Sequence, residues 1–447
     1  ATLLLQCGHH QQSSQWELRS LQAWHQLRQD QPDRLDIQLL EAASLRTLSF
    51  ARDEIGETEL SQESLQKATN IVQKLLSEYP GNDTLESELP KSHDVLGDIH
   101  VRNLDLDKAL KEYSASAAIG AHLHFRDPAN VRWKFEEIGS AMRIAQVMKK
   151  MGRTQDALTL LATYRPKLDA LIAQDPANLE HRATMTQMRL LIGDLHWLRQ
   201  DHVQADLEFR EALVQLNWAN DQDAQNTRWL LMQLMVTQRL AEIERSKGEL
   251  DKAFAILSKA RHAVSNAINQ DVHTRKLRQF FVAINTRLSD FAFDNGKTSL
   301  GMDVQKQALQ QATEYQKEHP ESMSWLTLLC RIQIHSSKHC LKLGLMQESR
   351  ALWEQAISSL TQQCKLHPEN IELADYLVQA QLGKVEWLCQ LGDLEEAHRI
   401  SLILITQIRV SQKNVSDAET RQSLLCECLE HFSFCCHHLQ KNDQELA

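Results

Sequence analysis

The feature that most constrains this chain is a ruler built into it. Pro32, Pro80, Pro128, Pro176, Pro320 and Pro368 stand 48 residues apart or at multiples of 48, and only Pro90 and Pro166 fall outside the register. Ala224 and Val272 fill the two vacant positions, and Ser416 continues the count near the C-terminus. Other columns keep the same period. Seventeen residues after the markers come Ser49, Gly97, Ala145, Gly193, Ala241, Ser289, Ser337, Val385 and Ser433, all but one of them tiny. Seven positions further on stands Gly at 56, 152, 248, 296, 344 and 392, and the column projects back onto Gly8. Ala68, Ala212, Ala260, Ala308 and Ala356 form a third column. A chain with such a period stacks like units, each burying its apolar face against the next.

Each column has a physical reason in a helical unit. Only 14 Gly and 8 Pro occur in 447 residues, a composition that favours helices with short connections over sheets. Asp or His precedes four of the six register prolines, as in DPANVRW from Asp127 and DPANLEHR from Asp175. This reads as the start of a helix A, with Asp127 as its cap and Pro in its first turn. Ile37, Leu85, Trp133, Trp229, Leu277, Trp325 and Leu373 share one position near that start and are expected to anchor the helix in the core. The tiny residue lets another backbone approach closely, and the later Gly suits a left-handed helix end. A helix B follows, with a small residue at Ala109, Ala157, Ala205, Ala253 and Ala397.

The segments IGDLHWLRQDHVQADLEFREAL and LGDLEEAHRI carry these columns together. From mid-helix small residue to helix B Ala the spacing is 12: Gly97 to Ala109, Ala145 to Ala157, Gly193 to Ala205, Ala241 to Ala253 and Val385 to Ala397. In this the chain resembles the tetratricopeptide repeat, from Gly8 to about Leu439. The resemblance implies an all-α fold, a right-handed α-solenoid of antiparallel helix pairs with the A helices lining a concave face. The usual repeat is about 34 residues, so each helix is expected to be about two turns longer. One solenoid is expected over 1–447: a partial repeat 1–30, repeats starting near 32, 80, 128, 176, 224, 272, 320 and 368, and a capping helix 416–440 opened by Ser416 and Glu419. Long variants of this kind resemble the helical regions of bacterial protein kinases and of signalling or regulatory ATPases. Ala1 projects into the middle of a helix A, which suggests the C-terminal part of a longer polypeptide.

The chain contains no phosphate-binding Gly-rich loop, HExxH or GxSxG motif, so neither enzymatic activity nor a cofactor is expected in this segment. A net charge of −10 argues against a nucleic-acid-binding surface across the whole molecule. No apolar run approaches the roughly 20 residues that a membrane helix needs, so no membrane insertion is expected. Nine cysteines, eight of them between Cys330 and Cys436, suit reduced, buried thiols and a cytoplasmic protein. The alternative is the periplasmic part of a membrane-anchored protein, in which Cys330, Cys340, Cys364 and Cys389 could pair. In CECLEHFSFCCHH, Cys428, His431, Cys435 and His438 share a helical stripe with Leu425, Phe432 and Leu439. Four ligands strung along one straight helix cannot converge on a tetrahedral ion, so the stripe is read as core and no metal is expected; a pair at Cys428 and His431 is the only metal alternative.

By the resemblance, the residue after the mid-helix small position points into the groove. Here that column is Asp98, Gln146, Asp194, Glu242, Asp290, Lys338 and Glu386, joined three or four positions later by Arg102, Lys149, Trp197, Arg245, Phe293 and Lys342. Two roles fit the ladder: ordinary i,i+4 pairs on a solvated face, or a groove that captures a protein or peptide partner. The functional expectation is a protein–protein interaction scaffold. The alternative is a regulatory or sensory region of a larger enzyme, such as a protein kinase or signalling ATPase, whose catalytic domain precedes Ala1.

Overall fold

The computed structural model describes residues 10–31, 34–54, 57–222, 227–269, 275–320, 322–368, 370–412 and 418–439. The expectations placed on Gly8, Pro32, Gly56, Ala224, Val272 and Ser416 lie outside them. Every element among the described residues is a helix. In chain order these are α1 (His10–Asp30), α2 (Leu35–Glu54), α3 (Thr58–Glu78), the single turn α4 (Asp83–Glu86), α5 (Leu89–Arg102), α6 (Leu106–Arg126), α7 (Val131–Lys150), α8 (Thr154–Gln174), α9 (Leu179–Leu198) and α10 (His202–Gln222). They continue as α11 (Thr227–Ser246), α12 (Leu250–Asn269), α13 (Arg275–Asp294), α14 (Thr298–Glu318), α15 (Met323–Lys342), α16 (Met346–Leu366), α17 (Ile371–Leu391), α18 (Leu394–Gln412) and α19 (Ala418–Leu439). The fold is all-α and tetratricopeptide-like, with A helices of 20 residues and B helices of 21 at α7 to α10. The added length of the repeat has gone into both helices.

Two compact units are present, one formed by Ala1–Val101 with Asp107–Val304 and the other by Arg102–Leu106 with Gln305–Ala447. In the first, Ile138, Ala145, Ala157, Leu161, Met188 and Leu195 make one buried cluster. Phe209, Leu216, Trp229 and Val236 make the next, and Leu234, Leu257, Leu277 and Phe291 a third. In the second unit, Leu382, Leu404, Cys428, Phe432 and Cys435 bury α19 against α17 and α18. The three register tryptophans are core, with Trp133, Trp229 and Trp325 at most 7% exposed.

The small-residue column is a steric fit. A methyl group at Gly97 would sit 2.5 Å from the ring of Tyr113, and one at Gly193 would sit 2.4 Å from the ring of Phe209. Where the column holds Ala145 or Ala241, the residue 16 positions on is Leu161 or Leu257 instead, and all four are fully buried. At Ser49 the hydroxyl lies 2.9 Å from that of Ser61, which donates to the Ser49 carbonyl, so hydrogen bonds bring these two helices together.

Among the described residues the later Gly column ends helix A as expected. Gly152, Gly248, Gly296, Gly344 and Gly392 all have positive φ, between 68° and 86°. In the two repeats that lack this Gly, Leu104 and Gln200 occupy its position and adopt the same conformation, at φ 57° and 62°. The fold imposes the left-handed turn even where a side chain makes it costly.

The helix start requires a correction. Asp127 does not cap helix A: its amide donates to the Leu123 carbonyl and closes the preceding helix B, as do Asp175 to Leu171 and His367 to Gln363. The cap is the Asn two residues past the proline. Asn130 accepts from the Arg132 and Trp133 amides, Asn178 from those of Glu180 and His181, Asn82 from those of Thr84 and Leu85, and Asn370 from that of Leu373. Register prolines such as Pro128 therefore sit in the interhelical turn, where a missing N–H costs nothing.

Candidate functional site: charged ladders on the A helices

In the first unit ion pairs join neighbouring A helices from α5 to α13, and Lys149, Asp194, Glu242 and Arg245 of the sequence-selected ladder take part in them. Asp194 on α9 is held from both sides, by Lys149 of α7 at 2.6 Å and Arg239 of α11 at 2.6 Å. Glu242 on α11 takes Arg287 from α13 and Arg245 from its own helix at 3.5 Å, and Arg245 also reaches Asp294 at 2.6 Å. Asp98 accepts from the Tyr113 phenol at 2.5 Å, while its neighbour Asp94 meets Arg143 of α7 at 3.1 Å. Burial raises the pKa of Asp94. The same cause pushes Asp290 up to about 7, against the pull of Arg245 and Arg287. Burial disfavours the Arg245 charge, but the Asp294 and Glu242 carboxylates outweigh it and raise its pKa.

The aromatic members of the ladder turn to packing. Trp197 lies against His202 with ring centroids 4.5 Å apart and joins the Phe209 cluster. The Phe293 ring leaves only 3.1 Å for a methyl group at Gly301. Arg102 is half-buried in the last turn of α5, and Lys342 is exposed in the last turn of α15.

In the second unit Lys338 and Glu386 belong to a compact knot closed by α19. The Lys338 ammonium lies 2.8 Å from Glu427 and 3.5 Å from Glu386, and His431 lies 3.8 Å from Glu386. Burial works against both charges, yet their pairing wins: the Lys338 pKa is raised by the two carboxylates, and the Glu386 pKa is lowered by His431 and Lys338. Glu386, Glu427 and His431 are the one group of possible metal-ligand side chains, among the described residues, whose atoms come within 4.8 Å of one another. The ammonium of Lys338 already supplies their countercharge. Cys428 and Cys435 are fully buried in the core with Phe432, but His431 turns to Glu386 and His438 is exposed, so only the thiol half of the stripe is core; Cys435 Sγ lies 3.8 Å from Cys389 Sγ.

The sequence reading named Lys149 and Arg245 but overlooked three further basic partners of the ladder. Arg143, Arg239 and Arg287 share one position of the 48-residue register, interrupted by Leu191, and that partial column was the available signal. A second feature of the first unit is a cleft of about 630 Å³ among α8, α9 and α10, lined by Leu158, Arg165, Pro166, Ile192, His196 and Glu208 among others. Pro166 lies inside α8 and has no N–H, so the Ala162 carbonyl on the cleft wall lacks its helical donor.

The chain matches no protein-family model and no curated protein sequence. Among solved structures it is similar to a Rap protein complexed with competence and sporulation factor, at 11% identity over 85% of this chain and 99% of that one (TM-score 0.44). It is also similar to NprR in complex with its cognate peptide NprX, at 10% identity over 91% and 98% of the two chains (TM-score 0.43). A third is a signal transduction ATPase with a tetratricopeptide repeat sensor from Pyrococcus horikoshii, at 12% identity over 87% of this chain and 53% of that one (TM-score 0.45). No helix among the described residues is long and apolar enough to cross a membrane.

Proposed function

We propose that the chain is a protein-interaction scaffold, and that a segment of a partner protein docks along the A-helix face of the first unit. The observation that carries this reading is the row of polar side chains running from Asp94 on α5 through Lys149, Asp194 and Arg239 to Asp294 on α13. Successive helices thus present charges held in fixed positions by one another, which suits recognition of an extended partner. The two aromatic steps have turned inward, so recognition on this face is polar. The row draws on residues from five A helices, which only the stacking of repeats brings side by side.

The test is site-specific photo-crosslinking in native lysate. A photoreactive residue at Gln146, exposed in the same column on α7, is compared with one at Val214, which is 59% exposed on helix B α10. Partner proteins should be captured from Gln146 and not from Val214. Equal capture from both positions, or none from Gln146, removes the A-helix face from consideration.

A further inference from the structure

The paired acids of the A-helix row and their basic partners lie at different depths. The side chains of Asp94, Asp194 and Glu242 keep 19%, 17% and 20% of their exposure, whereas those of Arg143, Arg239 and Arg287, paired with them, keep 39%, 40% and 33%. Lys149, above Asp194, keeps 28%. Only Arg245 and Asp294 are equally exposed, at 41% each. A face that reads as acidic along the sequence therefore has carboxylates for a floor and guanidinium groups for its outer layer.

That layering selects a ligand. A guanidinium carries five N–H donors in a fixed planar fork. Arg239 directs Nε and Nη2 to Asp194, and the contact of Arg287 with Glu242 runs through Nη1. The floor carboxylates fix the direction of each fork and leave part of it turned outward. We propose that this face binds an acidic segment of a partner protein, whose Asp or Glu carboxylates pair with Arg143, Arg239 and Arg287. This rests on the A-helix docking reading above.

Charge balance separates the acidic segment from two competitors. Over Asp94, Asp98, Asp194, Glu242, Asp290 and Asp294, the bases Arg143, Lys149, Arg239, Arg245 and Arg287 nearly cancel the charge, and the whole chain carries −10. A nucleic acid draws its affinity from excess positive charge and counterion release, which a near-neutral ladder in an acidic protein does not provide. A basic segment meets the guanidinium layer before it can reach the floor. Carboxylates gain short-range, charge-assisted hydrogen bonds that need no long-range field.

The experiment measures fluorescence anisotropy of four labelled probes of equal length: a peptide alternating Glu with Ala, its Lys and Gln counterparts, and a single-stranded oligonucleotide. The Glu peptide should bind the full chain, and the other three should bind at least about tenfold more weakly. Arg239→Gln and Arg287→Gln should each weaken the Glu peptide by about five- to tenfold, the Lys replacements by less, with circular dichroism unchanged. A Gln peptide that binds equally, a Lys peptide or oligonucleotide that binds better, or no binding of the Glu peptide would overturn the acidic assignment. Crosslinking from Gln146 judges the docking face itself, because a partner of any charge can still be captured there.

Discussion

The pairing of Gly193 with Phe209 allows the packing argument to be tested quantitatively. In Gly193→Ala the new methyl carbon would sit 2.4 to 2.9 Å from three ring carbons of Phe209, which is fully buried. Carbon atoms rest at about 3.5–4.0 Å, so ring and helix must separate by about 1 Å in a filled core. Overpacking of this kind costs about 1–3 kcal/mol, and exchanging Gly for Ala within a helix returns about 1 kcal/mol. The expected net loss is about 0–2 kcal/mol. Phe209→Leu alone opens a void and should cost about 1–2 kcal/mol, below the range for full truncation of a Phe to Ala. The double variant recreates the Ala145/Leu161 and Ala241/Leu257 arrangement that this chain already uses twice. It should stand within about 1 kcal/mol of the parent, a favourable coupling of about 1.5–3 kcal/mol. Urea unfolding followed by circular dichroism gives the free energies. Hydrogen exchange of α9 and α10 amides gives the local effect, which matters because repeat arrays need not unfold in one step. If the two single losses simply add to within about 0.5 kcal/mol, the small column is not a steric partner of the aromatic one.

The remaining predictions address the caps, a titrating acid and the thiols. Asn178→Ala should cost about 1 kcal/mol, and Asp175→Ala only about half as much, by the same urea measurement; the reverse order would restore the Asp as cap. Gln200→Gly should stabilise by about 0.5–1 kcal/mol, since it relieves a positive φ of 62° at an exposed position; a loss would mean that the glutamine side chain earns its place. Asp290 titrates near 7 in the folded chain against an ordinary 3.8, so the folded state holds a proton that the unfolded state has released between those values. Its contribution to stability therefore falls as pH rises from about 4 to about 7. Asp290→Asn should raise the urea midpoint more at pH 8 than at pH 5, and equal gains at both would refute the shift. Among the described cysteines Cys426 is exposed, whereas burial pushes the Cys330, Cys428 and Cys435 thiols up to about 12. Alkylation under native conditions, mapped by mass spectrometry, should label Cys426 and leave those three until denaturant is added.

Much of this fold can be read from residue spacing, because a repeat samples the same physical environment many times. The left-handed Gly, the tiny mid-helix residue and the buried Trp each recur, and a recurring residue type has a recurring cause. Reading failed where two neighbouring signals competed. Asp-Pro reads as a helix start, but the Asn two residues later takes the amides, and only backbone geometry tells one helix's end from the next one's start. The ladder was half legible for a related reason. Its acids follow the tiny residue with regularity, while Arg143, Arg239 and Arg287 form a column broken by Leu191. Trp197 and Phe293 looked like steps of a binding ladder because their register is that of the groove column; which way each ring turns depends on neighbours such as His202 and Gly301 in the following helix.

The geometry of the ladder bears on what it is for. The contacts Lys149–Asp194, Asp194–Arg239 and Glu242–Arg287 each span 45 residues, so the two partners sit three positions apart in the 48-residue register, about one helical turn. Half-exposed ion pairs contribute only about 0–1 kcal/mol each, whereas burying a side chain the size of Trp229 or Phe209 contributes several times more. The stack is therefore held by its apolar columns, and the charges are too weak to be its main support. Asp194 has two basic partners and Glu242 has two, so removing either Arg239 or Arg287 still leaves each of these two carboxylates a basic partner. The face can lose a guanidinium and keep its scaffold, which separates a role in recognition from a role in folding.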